Sequence, residues 1–232
     1  MSFNRDIQLD PNRVQTRSGG GRGAVIGGGS ILTVIAVVLI SQLTGVDLTS
    51  MLGAQQQTGT TTSTASSIDT SVCTSGDSAN KYTQCRMVAT AESLDAVWTE
   101  QLPAQAGLKY AKPEFVLWDG SQISSACGNA SSAVGPFYCS GDRTVYLDMS
   151  FFSEMERSLG AADTPLAEEY IVAHEFGHHI QHLTGQMAKA DRSGSGATSD
   201  SVRLELQADC YAGIWVNHAS STADPETGQP FL

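Results

Sequence analysis

Basic side chains are scarce in this chain. It carries 13 Lys and Arg against 24 Asp and Glu, a formal net charge of −11. Arg5, Arg13, Arg17 and Arg22 all precede a long apolar run. Beyond that run the balance is 9 basic against 22 acidic residues, or −13. Such a region has no basic face to neutralise phosphates, which excludes nucleic acid as a partner. Acidity of this kind serves solubility, and it also suits basic substrates. The five cysteines contain no C-x-x-C pair, so they do not form the usual cysteine cage for zinc. No Lys or Arg occurs between Arg22 and Lys81, and no persuasive small-x-small cleavage site follows Leu43.

Those last two absences bear on the N-terminal part. Ala24 to Leu43 is a stretch of ~20 uncharged residues, long enough to cross a hydrocarbon core of ~30 Å. The leading polar region is long for a signal peptide, and with no clear cleavage site an uncleaved anchor is expected. Four arginines before the run and none just after it place the N-terminus in the cytoplasm. The expected arrangement is therefore a cytoplasmic segment at 1–23, a single transmembrane helix at 24–43, a flexible linker at 44–72 and a globular domain at 73–232 outside the cytoplasm. The Gln/Thr/Ser/Gly-rich stretch from Ala54 to Ser71 cannot bury a core and reads as tether.

Within the domain, four cysteines allow three pairings. Cys73 with Cys85 and Cys127 with Cys139 would each close a short loop. Cys210 is left over and is expected as a buried thiol in a packed interface.

His174-Glu175-Phe176-Gly177-His178 is an H-E-x-x-H within the apolar-periodic segment Leu166–Leu183. Positions i and i+4 of a helix lie one above the other, so both imidazoles can reach one metal ion. Glu175 sits about 100° round the helix, where a carboxylate can reach a water without itself being a ligand. Val172, Phe176, Ile180 and Leu183 fall on the other side, making the helix amphipathic. A chance match is the bland alternative. A site at His178 and His182 would instead put His179 after the first ligand and remove the general base. His179 and His182 are expected at the helix edge or cleft, and His218 at a solvated helix end.

A catalytic zinc site needs a third protein ligand and leaves a fourth position to water. A second helix, Ser201 to Asn217, carries Glu205 and Asp209 at i and i+4. Glu205 is the expected third ligand. Asp209 is expected to accept a hydrogen bond from the non-ligating nitrogen of one histidine, fixing its tautomer. Ala208, Ala212 and Gly213 are small enough for close approach to the first helix. The alternative is a surface helix with two solvated acids, but its other residues are largely apolar, so buried acids would need partners.

HEFGHHIQH at 174–182 with RLELQADCYAGIW at 203–215 resembles the bacterial putative neutral zinc metallopeptidase family. GPFYCSGDRTVYLD at 135–148 resembles the segment that precedes that family's active-site helix. Gln181 and Thr184 stand where the metzincin extension would require Gly and His, so that branch is disfavoured. The resemblance implies an α+β, zincin-like domain and Zn²⁺ as cofactor. It also implies a membrane-anchored peptidase acting on peptide or protein substrates, and a further C-terminal segment beyond Leu232. It further implies that part of 135–148 is an edge strand for substrate; an ordinary structural hairpin is the alternative. The rival readings are a membrane-anchored binding or scaffold protein with a structural zinc, and an inactive peptide-binding relative. Elsewhere the pattern predicts a helix over Met87–Gln101 and a strand over Glu114–Trp118. It predicts a hairpin of Phe137–Ser140 with Thr144–Asp148, a helix over Met149–Leu159 ending at Gly160, and a loop over Ser193–Thr198.

Overall fold

A computed structural model describes residues 1–18, 68–119, 122–159, 164–191 and 193–232. The fold is α+β, and its sheet separates two apolar layers. β1 (Gln15–Ser18), β2 (Glu114–Asp119), β5 (Phe137–Cys139) and β6 (Thr144–Asp148) form the main sheet, in the order β1-β2-β6-β5. β1 and β6 both pair parallel to β2, and β5 pairs antiparallel to β6 as the predicted hairpin. Side chains alternate across the sheet with period two. Phe115, Leu117, Val145, Leu147 and Tyr138 face the helices. Val116, Trp118, Tyr146 and Cys139 face the other way, onto Ile123 and Ala130. Those last two belong to a small hairpin, β3 (Gln122–Ser125) with β4 (Gly128–Ser131). The pairings Cys73–Cys85 and Cys127–Cys139 are both formed, and the second ties this hairpin to β5.

The helices are α1 (Gly76–Lys81), α2 (Thr83–Ala106), α3 (Phe151–Leu159), α4 (Pro165–Leu183), α5 (Gln186–Lys189) and α6 (Asp200–Ala219). The predicted helix at Met87–Gln101 is the middle of α2, which runs on to Gly107, a left-handed cap at φ 67°. Glycine takes that conformation without the steric cost of a Cβ. α4 starts where its sequence says it should. The Thr164 side chain accepts from Ala167 N–H, and Pro165 fills the first turn, where no donor is needed. Ser199 caps α6 in the same way through Val202 N–H. Trp215 of α6 donates its indole N–H to Ser93 Oγ of α2 at 3.0 Å inside the core. Phe176 of α4 meets Phe115 of β2 edge to face, with centroids 6.1 Å apart. The three long helices thus share one core, which the sheet closes.

The N-terminus overturns the expected membrane arrangement. Phe3, Ile7, Leu9 and Val14 are buried in the same core as Val97, Phe176 and Trp215. Arg13, counted above as part of a positive flank, is held by Asp95 of α2 at 2.6 Å and 3.2 Å. Tyr110 and Lys112 reach the same carboxylate. Asn80 of α1 clamps the backbone of Phe3 from both sides, at 2.9 Å and 2.8 Å. A Cβ on Gly76 would stand 1.8 Å from Asn4 O, so only glycine admits the segment there. A segment cannot pack into a core from across a bilayer. The single-pass topology, with a cytoplasmic N-terminus and the domain on the far side, is therefore corrected. Among the described residues no helix is long and apolar enough to cross a membrane. The expected span at 24–43, most of the linker at 44–72 and the helix end at Gly160 lie outside the described residues. The apolar residues of 1–18 follow neither a helical nor a strand period, which is why pattern alone assigns them to no core.

Removing a buried aromatic costs about 3–5 kcal/mol, and Phe3 is 2% exposed. Phe3→Ala in the full chain should lower stability by about that amount, read by chemical denaturation. An unchanged midpoint would show that residues 1–18 do not pack on the domain.

Candidate metal centre

α4 and α6 pack together more extensively than any other pair of elements. They come close at Gly177, where a Cβ would lie 2.7 Å from Ala208 O and 2.9 Å from Ala208 Cα. Ala208 and Ala212 are fully buried, as their size predicts. Gly213, grouped with them above, is exposed and has open space around it. Gly177 is the partner that sequence reading passed over.

This crossing sets Glu205 against the two histidines. His174 Nε2 is 3.2 Å from Glu205 Oε2, and His178 Nε2 is 3.5 Å from the same atom. One donor atom from each of the three residues lies within 4.8 Å of the others. His174 Nδ1 is 2.8 Å from Asp209 Oδ1, the contact expected of Asp209, and Tyr170 O–H donates to that oxygen at 3.3 Å. Glu175 and Glu205 are buried, whereas the His174 side chain keeps 20% of its surface open. The face of α4 that carries the motif is therefore roofed by α6 and is not a solvated polar face.

Burial alone would pull the His174 pKa down. Hydrogen bonds to Asp209 and Glu205 and the charge of Glu175 outweigh it and push the pKa to about 10. His178 is also raised: burial is overcome by Glu205 and Glu175. Burial would raise the Glu205 pKa, but the two imidazoles bring it down to about 2. Glu175 moves up because burial outweighs the charges of His178 and His174.

Two imidazole nitrogens and one carboxylate are the donor set of a catalytic zinc site. Glu205 Oε1 is buried and finds no hydrogen-bond partner among the described residues, an unmet acceptor that a cation would satisfy. The acids of the site favour the charged form of both imidazoles, and a dication would replace that positive charge. On these three counts the residues fit a zinc ion.

Other expectations shift. His179 is fully buried rather than at an edge. Its Nε2 donates to Ala111 O at 2.6 Å, and its Nδ1 accepts from Tyr138 O–H at 3.0 Å. Because Ala111 O can only accept, it fixes this tautomer. Burial holds the His179 pKa down at about 4. His182 is half-buried beside Tyr138 and His179, and His218 is half-buried at the end of α6. Cys210 is exposed, not buried as expected, because the face of α6 bearing Leu206 and Cys210 turns away from α4. Gln181 is fully buried and joins His178 to the Leu204 carbonyl. Its signal in the sequence was only its position three residues after His178.

An α+β domain with a His, His, Glu group on two crossing helices that could hold a metal ion is thus what the fold and site define. A model of the family described as "Putative neutral zinc metallopeptidase" matches residues 6–228. The chain belongs to that family. It is similar to the uncharacterized protein Rv2575 of Mycobacterium tuberculosis, at 45% identity over 192 residues, 83% of this chain and 63% of the relative. It is 37% identical to the uncharacterized protein YpfJ of Escherichia coli K12 over 209 residues, 87% of this chain and 67% of the relative. The chain therefore spans less than two thirds of the mycobacterial relative's length. No solved structure matches the chain.

Helix propensity alone would make Gly177→Ala stabilising by about 1 kcal/mol. The contact with the Ala208 backbone reverses the sign, and a net loss of about 1–3 kcal/mol is expected, with weaker zinc binding. A raised denaturation midpoint would contradict the close crossing. Zinc must also displace protons from histidines whose pKa values are raised. Its affinity should rise with pH from 6 to 9 by about tenfold per unit for each proton displaced. Calorimetry in buffers of different ionisation enthalpy counts those protons, and zero at pH 7 would contradict this site.

Proposed function

We propose that the chain is a zinc-dependent peptidase of the zincin type, with His174, His178 and Glu205 holding the metal. The observation that carries this reading is the convergence of their three donor atoms, with Glu175 buried beside them on α4. When bound, a zinc ion supplies the positive charge that acidifies a water and polarises the scissile carbonyl. Glu175 takes the proton of the attacking water and delivers it to the leaving amine. Burial raises its pKa, which makes it a stronger proton acceptor than an exposed carboxylate. Asp209 accepts from His174 Nδ1–H, so that once the proton on Nε2 is displaced its lone pair is free for the metal. His179 and Tyr138 hold β5 against α4. The edge of that strand is suited to lining up an extended peptide backbone.

The rival is a structural zinc in a binding or scaffold protein. Structural sites are closed by four protein ligands. Among the described residues the group has three members. The two candidates for a fourth stand elsewhere: Cys210 is exposed, and His182 packs on Tyr138. An inactive relative would have no use for a buried acid at 175.

Glu175→Gln should keep its zinc and lose cleavage of a mixed peptide library by about 10²–10⁴-fold, measured by mass spectrometry. Undiminished cleavage in that variant would sink the mechanism. A zinc-loaded wild type that cuts no peptide would favour the scaffold reading.

A further inference from the structure

We infer that Gln181 is a positioning residue for the metal-binding group: it sets the tautomer of His178 and ties it to the backbone next to Glu205. The inference rests on the zinc reading above.

The argument follows from which atoms can donate. Gln181 is fully buried on α4. One end of its amide lies 2.6 Å from Leu204 O, and the other lies 2.9 Å from His178 Nδ1. Leu204 O is a carbonyl and can only accept, so the NH₂ of Gln181 must face it. Turning the amide over would set two acceptors against each other at that distance. The Gln181 oxygen therefore faces His178, and it too can only accept. In the neutral ring that binds a metal, His178 Nδ1 must then carry the hydrogen, and Nε2 keeps its lone pair. Nε2 is the nitrogen that faces Glu205 Oε2 at 3.5 Å.

The arrangement also explains the residue type. A carboxylate at 181 could accept from His178 but could not donate to Leu204 O. A hydrocarbon could do neither, and a shorter amide would not span the gap. With no exposed surface at 181, water cannot take over either bond. Leu204 directly precedes Glu205, so one side chain registers the second donor against the backbone of the third. The two histidines are thus held differently. His174 leans on Asp209, a carboxylate whose side chain is 48% exposed, and His178 leans on a dry, neutral amide.

The test uses the full chain with Gln181→Met and Gln181→Glu. Three quantities are read: zinc affinity by competition with a chromophoric chelator, the visible spectrum of the cobalt(II)-loaded protein, and the melting temperature without added metal. Loss of a partner that orients a metal ligand typically weakens the metal by about 10–100-fold. Gln181→Met should do so and alter the cobalt spectrum while remaining folded without metal. Gln181→Glu keeps the acceptor for His178 but loses the donor to Leu204 O, so it should weaken zinc binding by less than about tenfold, between the wild type and Gln181→Met. A Met variant within twofold of the wild type would make Gln181 a mere tie between helices and overturn the inference. So would a Glu variant no better than Met. Should Gln181→Met not fold, Gln181→Glu decides alone: zinc binding weakened by up to about tenfold supports the inference, and binding equal to the wild type or weakened further overturns it. A folded wild type that binds no zinc refutes the peptidase reading as well. A wild type that binds zinc beside an equally competent Met variant refutes this inference only.

Discussion

Everything the site does depends on how near α6 comes to α4. Gly177 presents no side chain toward Ala208, and the helix backbones meet there at van der Waals distance. Glu205 stands one turn from Ala208, and His174 and His178 flank Gly177, so the crossing point is also the centre of the donor set. Any side chain larger than hydrogen at 177 would separate donors that work only when they share a few ångströms. The rest of the core holds this crossing in place: Trp215 anchors α6 to α2, and Phe176 anchors α4 to β2. Arg13 from the N-terminal segment lies over the Phe176 ring, 5.8 Å from its centroid. The residue at the centre of the H-E-x-x-H motif is thus supported from below by a segment far away in sequence.

Burying two acids and two histidines in one spot is costly unless the charges answer one another. Here they do. Glu205 is drawn far into its ionised form by the imidazoles, and the imidazoles are held toward their charged form by the acids. The cluster is a matched set whose positive half can be protons or a cation. The partners outside the donor set are graded by exposure. Asp209 and Tyr170 stand at the open side near His174, and Gln181 stands at the dry side near His178. Access to the centre is therefore from the His174 side, where some surface remains open.

Much of this was legible in the sequence because it is local. The spacing of His174, Glu175 and His178 and the repeat of that spacing at Glu205 and Asp209 both lie within a helical turn or two. The hairpin at 137–148 declares itself by alternation. What pattern could not show is long-range. The docking of residues 1–18 depends on Asn80, Gly76 and Asp95, none of which marks itself as a receptor for a distant segment. Composition drew the opposite conclusion, because arginines before an apolar run look like a membrane flank whether or not one of them is spent on a buried aspartate. The roles of Gln181 and Gly177 were not legible for a related reason. Their importance lies in what α6 places opposite them, and that is set by the crossing of the helices, not by their neighbours in the chain.

The central claim is that one cation belongs among His174, His178 and Glu205. Metal analysis of the purified full chain, run beside Glu205→Ala, tests it most directly. The account predicts about one zinc per wild-type chain and a sharp loss in the variant, with both proteins folded. A folded wild type that carries no zinc, or a Glu205→Ala variant that carries as much, would contradict it.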